Sequence, residues 1–409
     1  MRRLRANPSD QAVRDLISGL LPTSEQTLLL QACLLNGEPG TNAWTRYLCA
    51  AEASRTGPAH WTDLKVFSPL LWYRLRRNGV SVKKGLGSYL RTAYLRERLR
   101  SETCYRILGT VLDALECRGI STLILKDGAL TRTSYPEPGM RHCGSLDLLV
   151  DEAEQAQAVK VLLASSCAPF EAPTGSLPPW MTLRHPSGLL FRLGHRLPHV
   201  PTDTMPFSEL WARSRPASFA GIAARVPSPE DLFLQVVLSG FSAESHAIPY
   251  WVPDTWYLLA RGPDLDWSVL INRAIRAQRA PLISVALEYL SERFQAPIPA
   301  PALVDLRNER YMDPSCAATM FGELLGGPPV PWQLLWSHAP TLRARRLVLT
   351  WVLSSPPGPD RPSQLGRKLV RGALAYLRRA GSSFVRACRT EPAQMERQKA
   401  FRKYVLGLE

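Results

Sequence analysis

The chain has 409 residues, of which 45% are hydrophobic and 21% charged, an ordinary globular balance that excludes disordered, collagen-like and fibrous proteins. Its length predicts two to three domains. Fifty Lys and Arg residues against thirty-five Asp and Glu give a net charge of +15, and only eight of the basic residues are lysine. An arginine excess of this kind is typical of a GC-rich bacterial genome. The charge is therefore interpreted first as a solvated basic surface and second as an attraction for phosphate-bearing partners.

The sequence predicts a cytoplasmic protein with no membrane span. The best candidate for a span, 347–353, has about a third of the apolar length that a bilayer requires. The basic start at 1–5 is not followed by the apolar core of a signal peptide. The eight cysteines form no CxxC pair, so we expect reduced thiols rather than a zinc or dithiol redox site.

The first hundred residues predict helices. One covers 24–35 and another runs from 67 into the Asn-Gly stop at 78–79. Two further helices are predicted, one from about Ser88 and one over 105–115, where apolar residues recur at spacings of three and four.

The middle third changes to strands. Short apolar runs at 120–125 and 146–150 predict two buried strands, and 152–166 predicts a helix between them and the next strands. Two hairpins are predicted after that helix, one over 181–193 and one over 218–226.

The last third is helical again. Its first helix begins at Ser228, an N-cap residue followed by Pro229 and two acids in the first turn. Further helices are predicted over 251–259, 267–274 and 281–294. The predicted fold is α/β (α+β), a small mixed-sheet core at 105–226 between helical regions at 1–104 and 227–409.

The end of the chain is strongly basic. Residues 361–409 contain twelve basic and three acidic residues, which accounts for +9 of the net charge. An apolar stripe opposite the arginines predicts a basic amphipathic helix. We interpret it as docked on its own domain with a solvated face. Nucleic acid is not an expected partner, because no zinc-finger or RNA-binding signature accompanies the charge.

The most informative segment contains Leu-Lys-Asp-Gly at 125–128, Tyr-Pro at 135–136, Arg141, and Gly-Ser-Leu-Asp-Leu-Leu-Val at 144–150. It resembles the uncharacterised nucleotidyltransferase family of the DNA polymerase beta superfamily, in which Leu-Lys-Gly, Tyr-Pro and Arg precede Gly-Asp-(Leu/Ile)-Asp-Leu-Leu-Val. The resemblance extends over about 25–300. It implies a nucleotidyltransferase-like core that transfers a nucleoside monophosphate from an NTP to a hydroxyl of a small molecule or peptide.

The chain departs from the family pattern where the chemistry is done. Two acids two residues apart on a strand share a face, and with a third acid they hold the divalent ions that clamp the triphosphate. Here Ser145 replaces the first acid and only Asp147 is kept. Asp127 replaces the glycine of the phosphate turn. Arg192 stands in the place of the third acid, and Gly194 in that of the family's histidine.

These departures leave three functions open. A degenerate member would bind a nucleotide or phosphorylated small molecule without metal, using fixed positive charge. An active enzyme would use Mg²⁺ or Mn²⁺ on Asp147, with Asp127 as the replacement catalytic carboxylate. The third function is that of a non-catalytic protein that interacts with a partner protein. The side chain of Arg192 favours the first. The residues expected at the phosphate are Lys126, Gly128, Arg141, Ser145 and Arg192.

Weaker signals have ordinary structural interpretations. Asp147 by itself fits an acid satisfied by backbone amides at a strand end. His185, His195 and His199 are interpreted as loop and surface histidines rather than zinc ligands. Trp251 and Asp254 lie on a predicted helix and are expected in the core first and at a pocket second.

Overall fold

The computed structural model describes residues 8–53, 59–171, 177–200, 204–242, 248–261 and 265–308. The predicted basic helix within 361–409 lies outside these residues. No helix in the described ranges is both long enough and apolar enough to cross a membrane.

Among the described residues, five helices precede the first strand. They are α1 (Pro8–Ser18), α2 (Ser24–Leu34), α3 (Gly37–Ala53), α4 (Ala59–Arg77) and α5 (Lys84–Glu116). The start of α2 is fixed by a capping box, in which the Thr23 side chain accepts from the Gln26 backbone and Gln26 reaches back to the backbone of Thr23. The helix α4 ends just before Gly79, whose φ of +67° suits the left-handed conformation that closes a helix.

The two helices predicted from Ser88 and over 105–115 are wrong as separate elements, because α5 is a single helix of 33 residues. No proline interrupts the sequence between them. The buried face of α5 continues across the expected break through Glu97, Ser101 and Cys104, at spacings of three and four. Tertiary packing therefore keeps the helix continuous.

In the described part of the middle third, seven strands form one mixed sheet. The strands are β1 (Leu123–Leu125), β2 (Ser145–Leu149), β3 (Ala168–Pro169), β4 (Trp180–Arg184), β5 (Leu190–Gly194), β6 (Arg215–Phe219) and β7 (Ile222–Val226). Their spatial order is β3-β4-β5-β2-β1-β7-β6. The strand β2 runs antiparallel to β1 and parallel to β5, and β1 runs parallel to β7. The predicted α/β class is confirmed.

Both predicted hairpins form. The strands β4 and β5 pair antiparallel, and so do β6 and β7. The second hairpin turns through Ala220 and Gly221, both with positive φ, +51° and +86°. Positive φ at both central residues is the geometry that matches the right-handed twist of paired strands, which is why glycine is favoured there.

The remaining helices of the described ranges lie between the strands and after β7 in the chain. They are α6 (Lys126–Thr133), α7 (Gln155–Ala164), α8 (Phe207–Arg213), α9 (Pro229–Gly240), α10 (Trp251–Arg261), α11 (Trp267–Arg276), α12 (Ala280–Phe294) and α13 (Ala300–Asn308). Ser228 caps α9 as predicted, accepting from the backbone of Asp231. The residues of α9 are buried at all twelve positions, because the helix contacts α6, α10, α11 and α12.

Buried side chains form one core that includes residues from α1 to α13. The helix α5 contacts both β6 and β7, and α7 contacts β5. The predicted boundary between residues 104 and 105 falls inside α5. The division into three regions stays a prediction.

Candidate functional site

The register of the central strands brings the motif residues together. Asp147 on β2 lies opposite Leu125 of β1 on one side and opposite Arg192 of β5 on the other. Lys126 follows Leu125 directly and begins α6. Arg192, which the resemblance places at the position of the family's third acid, therefore lies beside Asp147.

Asp147 is held by three side chains. Its Oδ1 accepts a hydrogen bond of 2.9 Å from Ser145 Oγ, the residue two positions earlier on the same face of β2. Its Oδ2 lies 3.6 Å from Lys126 Nζ and 3.7 Å from Arg192 Nη1. The side chain of Asp147 is only 3% exposed. Its partners are thus mainly cationic side chains rather than the backbone amides of a simple strand end.

The two cations are more accessible than the carboxylate between them. The side chains of Lys126 and Arg192 are 18% and 31% exposed, against 3% for Asp147. The Arg192 guanidinium also lies over the Trp180 ring, 5.5 Å from its centroid, which orients it. The charge that a ligand would meet at this position is therefore positive.

The backbone at Lys126 is unusual. Its φ of +39° is rare for a residue with a side chain, and its N–H donates to Gln235 Oε1 on α9 at 3.3 Å. Gly128, one turn into α6, is buried, and a Cβ there would lie 2.8 Å from Ile124 Cγ2. Gly128 therefore allows α6 to pack closely on β1. The structure does not place it on the cavity wall described below.

Asp127 points away from Asp147 toward Arg141. Its Oδ1 lies 2.8 Å from Arg141 Nη2, and its Oδ2 accepts from the Gly144 backbone at 3.3 Å. The carboxylate thus ties the start of α6 to the loop before β2. The proposed catalytic role of Asp127 stays a prediction, and it would require breaking these contacts.

Arg141 is buried between two carboxylates. Besides Asp127, it donates from Nε and Nη2 to the two oxygens of Asp254 on α10, each at 2.8 Å. Burial opposes the charge on Arg141, but Asp127 and Asp254 outweigh it and hold the arginine pKa well above its ordinary value. The Tyr135 hydroxyl donates to Asp254 at 2.6 Å, and burial followed by the Asp254 charge raises the pKa of Tyr135 well above its ordinary value. The positive charge of Arg141 is therefore balanced by Asp127 and Asp254 within the protein.

These residues line a cavity of about 210 Å³. Its wall includes Lys126, Asp127, Arg141, Ser145, Asp147 and Arg192, which the motif had placed at the site. Trp251 and Asp254 from α10 also line it, together with His142, Gly144, Ser239 and Tyr250. The expectation that Trp251 and Asp254 lie in the core is met at the same time, since both are at most 3% exposed.

The sequence analysis missed Glu97 and His142. Glu97 lies on the buried face of α5, and its Oε2 is 2.8 Å from Nδ1 of His142 on the cavity wall. A charged residue within an otherwise buried helical stripe was the available signal, because a buried carboxylate requires a partner. Nothing in the sequence indicated that the partner lies 45 positions later.

The donor set does not fit the two divalent ions that the family motif implies. Mg²⁺ and Mn²⁺ prefer several oxygen ligands. Asp147 Oδ2 is contacted by two cations, and Asp127 is engaged by Arg141. Within the described residues no cluster of three or more His, Cys, Asp and Glu side chains has the arrangement of a metal site. His185 Nδ1 contacts Ser187 in the β4–β5 turn, whereas the His195 side chain is only 13% exposed and its Nδ1 lies 3.0 Å from Gln155 Oε1.

The comparison with family models decides the membership of this chain. The model described as an uncharacterised nucleotidyltransferase matches residues 59–295, more than half of the chain. The chain belongs to this family. The match begins with α4, includes the whole sheet, and ends directly after α12. The resemblance carried by the 125–150 motif is thereby confirmed.

Other comparisons are less informative. A search of curated proteins gives no match. Among solved structures, an antigenic nucleotidyltransferase-like protein from Paracoccidioides brasiliensis is similar at 18% identity, with 49% of this chain and 95% of that chain covered. The TM-score of 0.36 is too low for an argument about geometry, so the site is interpreted from its own residues.

Proposed function

We propose that this nucleotidyltransferase family member binds a nucleotide or a phosphorylated small molecule without a divalent metal. The observation that carries the proposal is the position of Asp147 between Lys126 and Arg192, with the two cations more exposed than the carboxylate. In this arrangement Asp147 is a positioning residue. It holds the two positive groups at one edge of the cavity, where the oxygens of a phosphate can replace the Asp147 carboxylate as their partner.

Fixed side chains would supply the charge that ions supply in the family pattern. An arginine guanidinium offers paired donors that match phosphate oxygens, and a lysine ammonium acts as a compact point charge. The stacking of Arg192 on Trp180 reduces the conformational freedom that binding would otherwise remove. Ligand binding therefore follows from groups that the fold already orients.

A second observation supports a polar ligand in this cavity. Ser239 on α9 is 8% exposed and lines the cavity, yet its Oγ has no hydrogen-bond partner in the described part of the chain. An unsatisfied buried hydroxyl costs about 1–3 kcal/mol. An oxygen of a bound phosphate or sugar would remove this cost. The hydroxyl therefore favours an occupant with hydrogen-bond acceptors or donors over an apolar one.

The experiment is a thermal-unfolding series in EDTA with pyrophosphate and ATP as probes. A ligand at a hundredfold its Kd stabilises the native state by about 2.7 kcal/mol, so Tm should rise without metal. Arg192→Met and Lys126→Met should abolish the rise. The matched control is Arg184→Met, because Arg184 also stacks on an aromatic ring, that of Phe170, on the neighbouring strand.

Two outcomes contradict the proposal. The first is an unchanged Tm with every probe. The second is binding that requires Mg²⁺ or Mn²⁺ and is lost with Asp147→Asn, accompanied by nucleoside monophosphate transfer. That result would favour the active enzyme with Asp127 recruited to the site.

A further inference from the structure

A buried acid on α5 orients a histidine at the cavity. Glu97 is 4% exposed, whereas the His142 side chain is 39% exposed. The 2.8 Å contact between Glu97 Oε2 and His142 Nδ1 fixes the orientation of the imidazole ring. A carboxylate that orients one ring nitrogen leaves the other available for proton exchange with a ligand.

Glu97 is ionised in this setting. Its burial opposes the charge, but the hydrogen bond with His142 and the positive charges nearby outweigh burial, and the pKa of Glu97 lies below its ordinary value. Ionised Glu97 acts only as an acceptor, so Nδ1 of His142 carries the proton of this hydrogen bond. The remaining ring nitrogen is then Nε2.

The Nε2 edge of the ring lies near Gly144, another residue of the cavity wall. A Cβ built on Gly144, the neighbouring wall residue, would be 3.9 Å from both Cδ2 and Nε2 of His142. Within the part of the chain that the structure describes, Nε2 has no hydrogen bond. His142 and Gly144 line the same cavity as Lys126 and Arg192.

We infer that His142 is a third ligand-contacting group, whose Nε2–H donates to a phosphoryl oxygen of the bound molecule. This inference rests on the proposed function. In the neutral ring with Nδ1 protonated, Nε2 has a lone pair; a proton from solution adds to it, and the resulting imidazolium donates to the phosphoryl oxygen. Ligand binding is thereby coupled to the uptake of a proton by this ring.

The charges around His142 come from several elements. Glu97 contacts the ring directly, at Nδ1. Three other charged or titratable groups near this pair lie on α5: Arg96, Arg100 and Cys104. The remaining ones belong to the cavity wall: Lys126, Asp127, Arg141, Asp147, Arg192, Tyr250 and Asp254. A phosphoryl oxygen bound near Lys126 and Arg192 is a hydrogen-bond acceptor for Nε2, and with Nδ1–H donating to Glu97, Nε2 can donate only after it has gained a proton.

The test is calorimetry of pyrophosphate binding in EDTA at pH 7.5, in two buffers of different ionisation enthalpy. The difference between the buffers reports the number of protons taken up. For the wild type we expect more uptake than for His142→Asn, and an affinity about tenfold or more higher, as for one charge-assisted hydrogen bond. Glu97→Gln should reduce the uptake with a smaller loss of affinity.

The control is His185→Asn, because His185 lies in the exposed β4–β5 turn and contacts Ser187. It should match the wild type in affinity and uptake. Unfolding of each variant in urea checks that it is folded before binding is compared. Equal affinity and equal proton uptake in wild type and His142→Asn would overturn the inference and leave the proposed function standing. Absence of pyrophosphate binding to the wild type would overturn both.

Discussion

Arg141 and Asp254 form a two-point ion pair across 113 residues of sequence, with Nε–Oδ1 and Nη2–Oδ2 distances of 2.8 Å each. Arg141 belongs to the loop before β2, and Asp254 to α10. The pair is buried, at 6% and 3% exposure. The pair therefore holds α10 against the loop before β2, and it fixes the part of the cavity wall that these two elements form.

Asp254→Asn is expected to lower the free energy of unfolding by about 3 kcal/mol or more, because removing one partner leaves Arg141 buried with incomplete compensation. Urea denaturation measures the change. The control is Asp113→Asn on the exposed face of α5, which should change stability by about 0.5 kcal/mol or less. Equal midpoints for the two variants would show that the pair does not stabilise the fold.

The double variant Ser145→Asp/Arg192→Asp is expected to gain Mg²⁺ and Mn²⁺ binding. It rebuilds a set of three carboxylates that includes Asp147, since Ser145 Oγ already contacts Asp147 Oδ1 and Arg192 already lies opposite it. Calorimetry should show weaker binding or none for either single variant, because the ligands act as a set.

The control for that experiment is Ser145→Asp/Arg184→Asp, which makes the same change of charge with the second acid on β4. It should not gain the site. The degenerate interpretation of the site is wrong if the wild type itself shows metal-dependent nucleotide transfer that Asp147→Asn abolishes.

Glu288→Gln is expected to reduce stability at neutral pH and not in acid. Burial opposes ionisation of Glu288, but hydrogen bonds from Arg307 and Arg14 outweigh it, so its pKa lies below the ordinary glutamate value. A lowered pKa stabilises the native state above the unfolded pKa of about 4.3, and this contribution is lost as pH falls through the folded value. The gap between wild type and variant, about 1 kcal/mol at pH 7, should narrow as pH falls below the unfolded pKa and close once pH has passed the lower folded pKa. Unfolding at several pH values measures it, with exposed Glu292→Gln on the same helix as control. A gap that does not change with pH would contradict the ionic explanation.

Gly194→Ala is expected to destabilise the protein by about 1–3 kcal/mol, the usual cost of overpacking. A Cβ at Gly194 would overlap the Trp180 ring, and that ring is held by a 2.9 Å hydrogen bond from its Nε1 to the Arg196 carbonyl. The denaturation midpoint should fall. Gly144→Ala is the control, because the nearest atom to its Cβ would be 3.9 Å away.

Local chemistry allowed much of the fold to be predicted. The hairpins form because alternating apolar residues flank turns that tolerate positive φ. The start of α9 follows from Ser228 as an N-cap. The contact between Ser145 and Asp147 follows from the two-residue period of a strand. These features depend on residues at most a few positions apart, which is the range over which a sequence pattern constrains geometry.

The sequence by itself, through the family resemblance, predicted that the site keeps one carboxylate, Asp147, and that a positive charge, Arg192, stands in the place of another. Only the tertiary structure decided what each polar group contacts. The sequence alone left open whether Asp127 lies with Asp147. In the folded chain Asp127 pairs with Arg141. The hydrogen bond between Glu97 and His142 joins a helix and a loop that are not neighbours in sequence. Side-chain pairing of this kind depends on how whole helices and strands pack. A buried charge is unfavourable without a partner, and the packing decides which partner lies within contact distance.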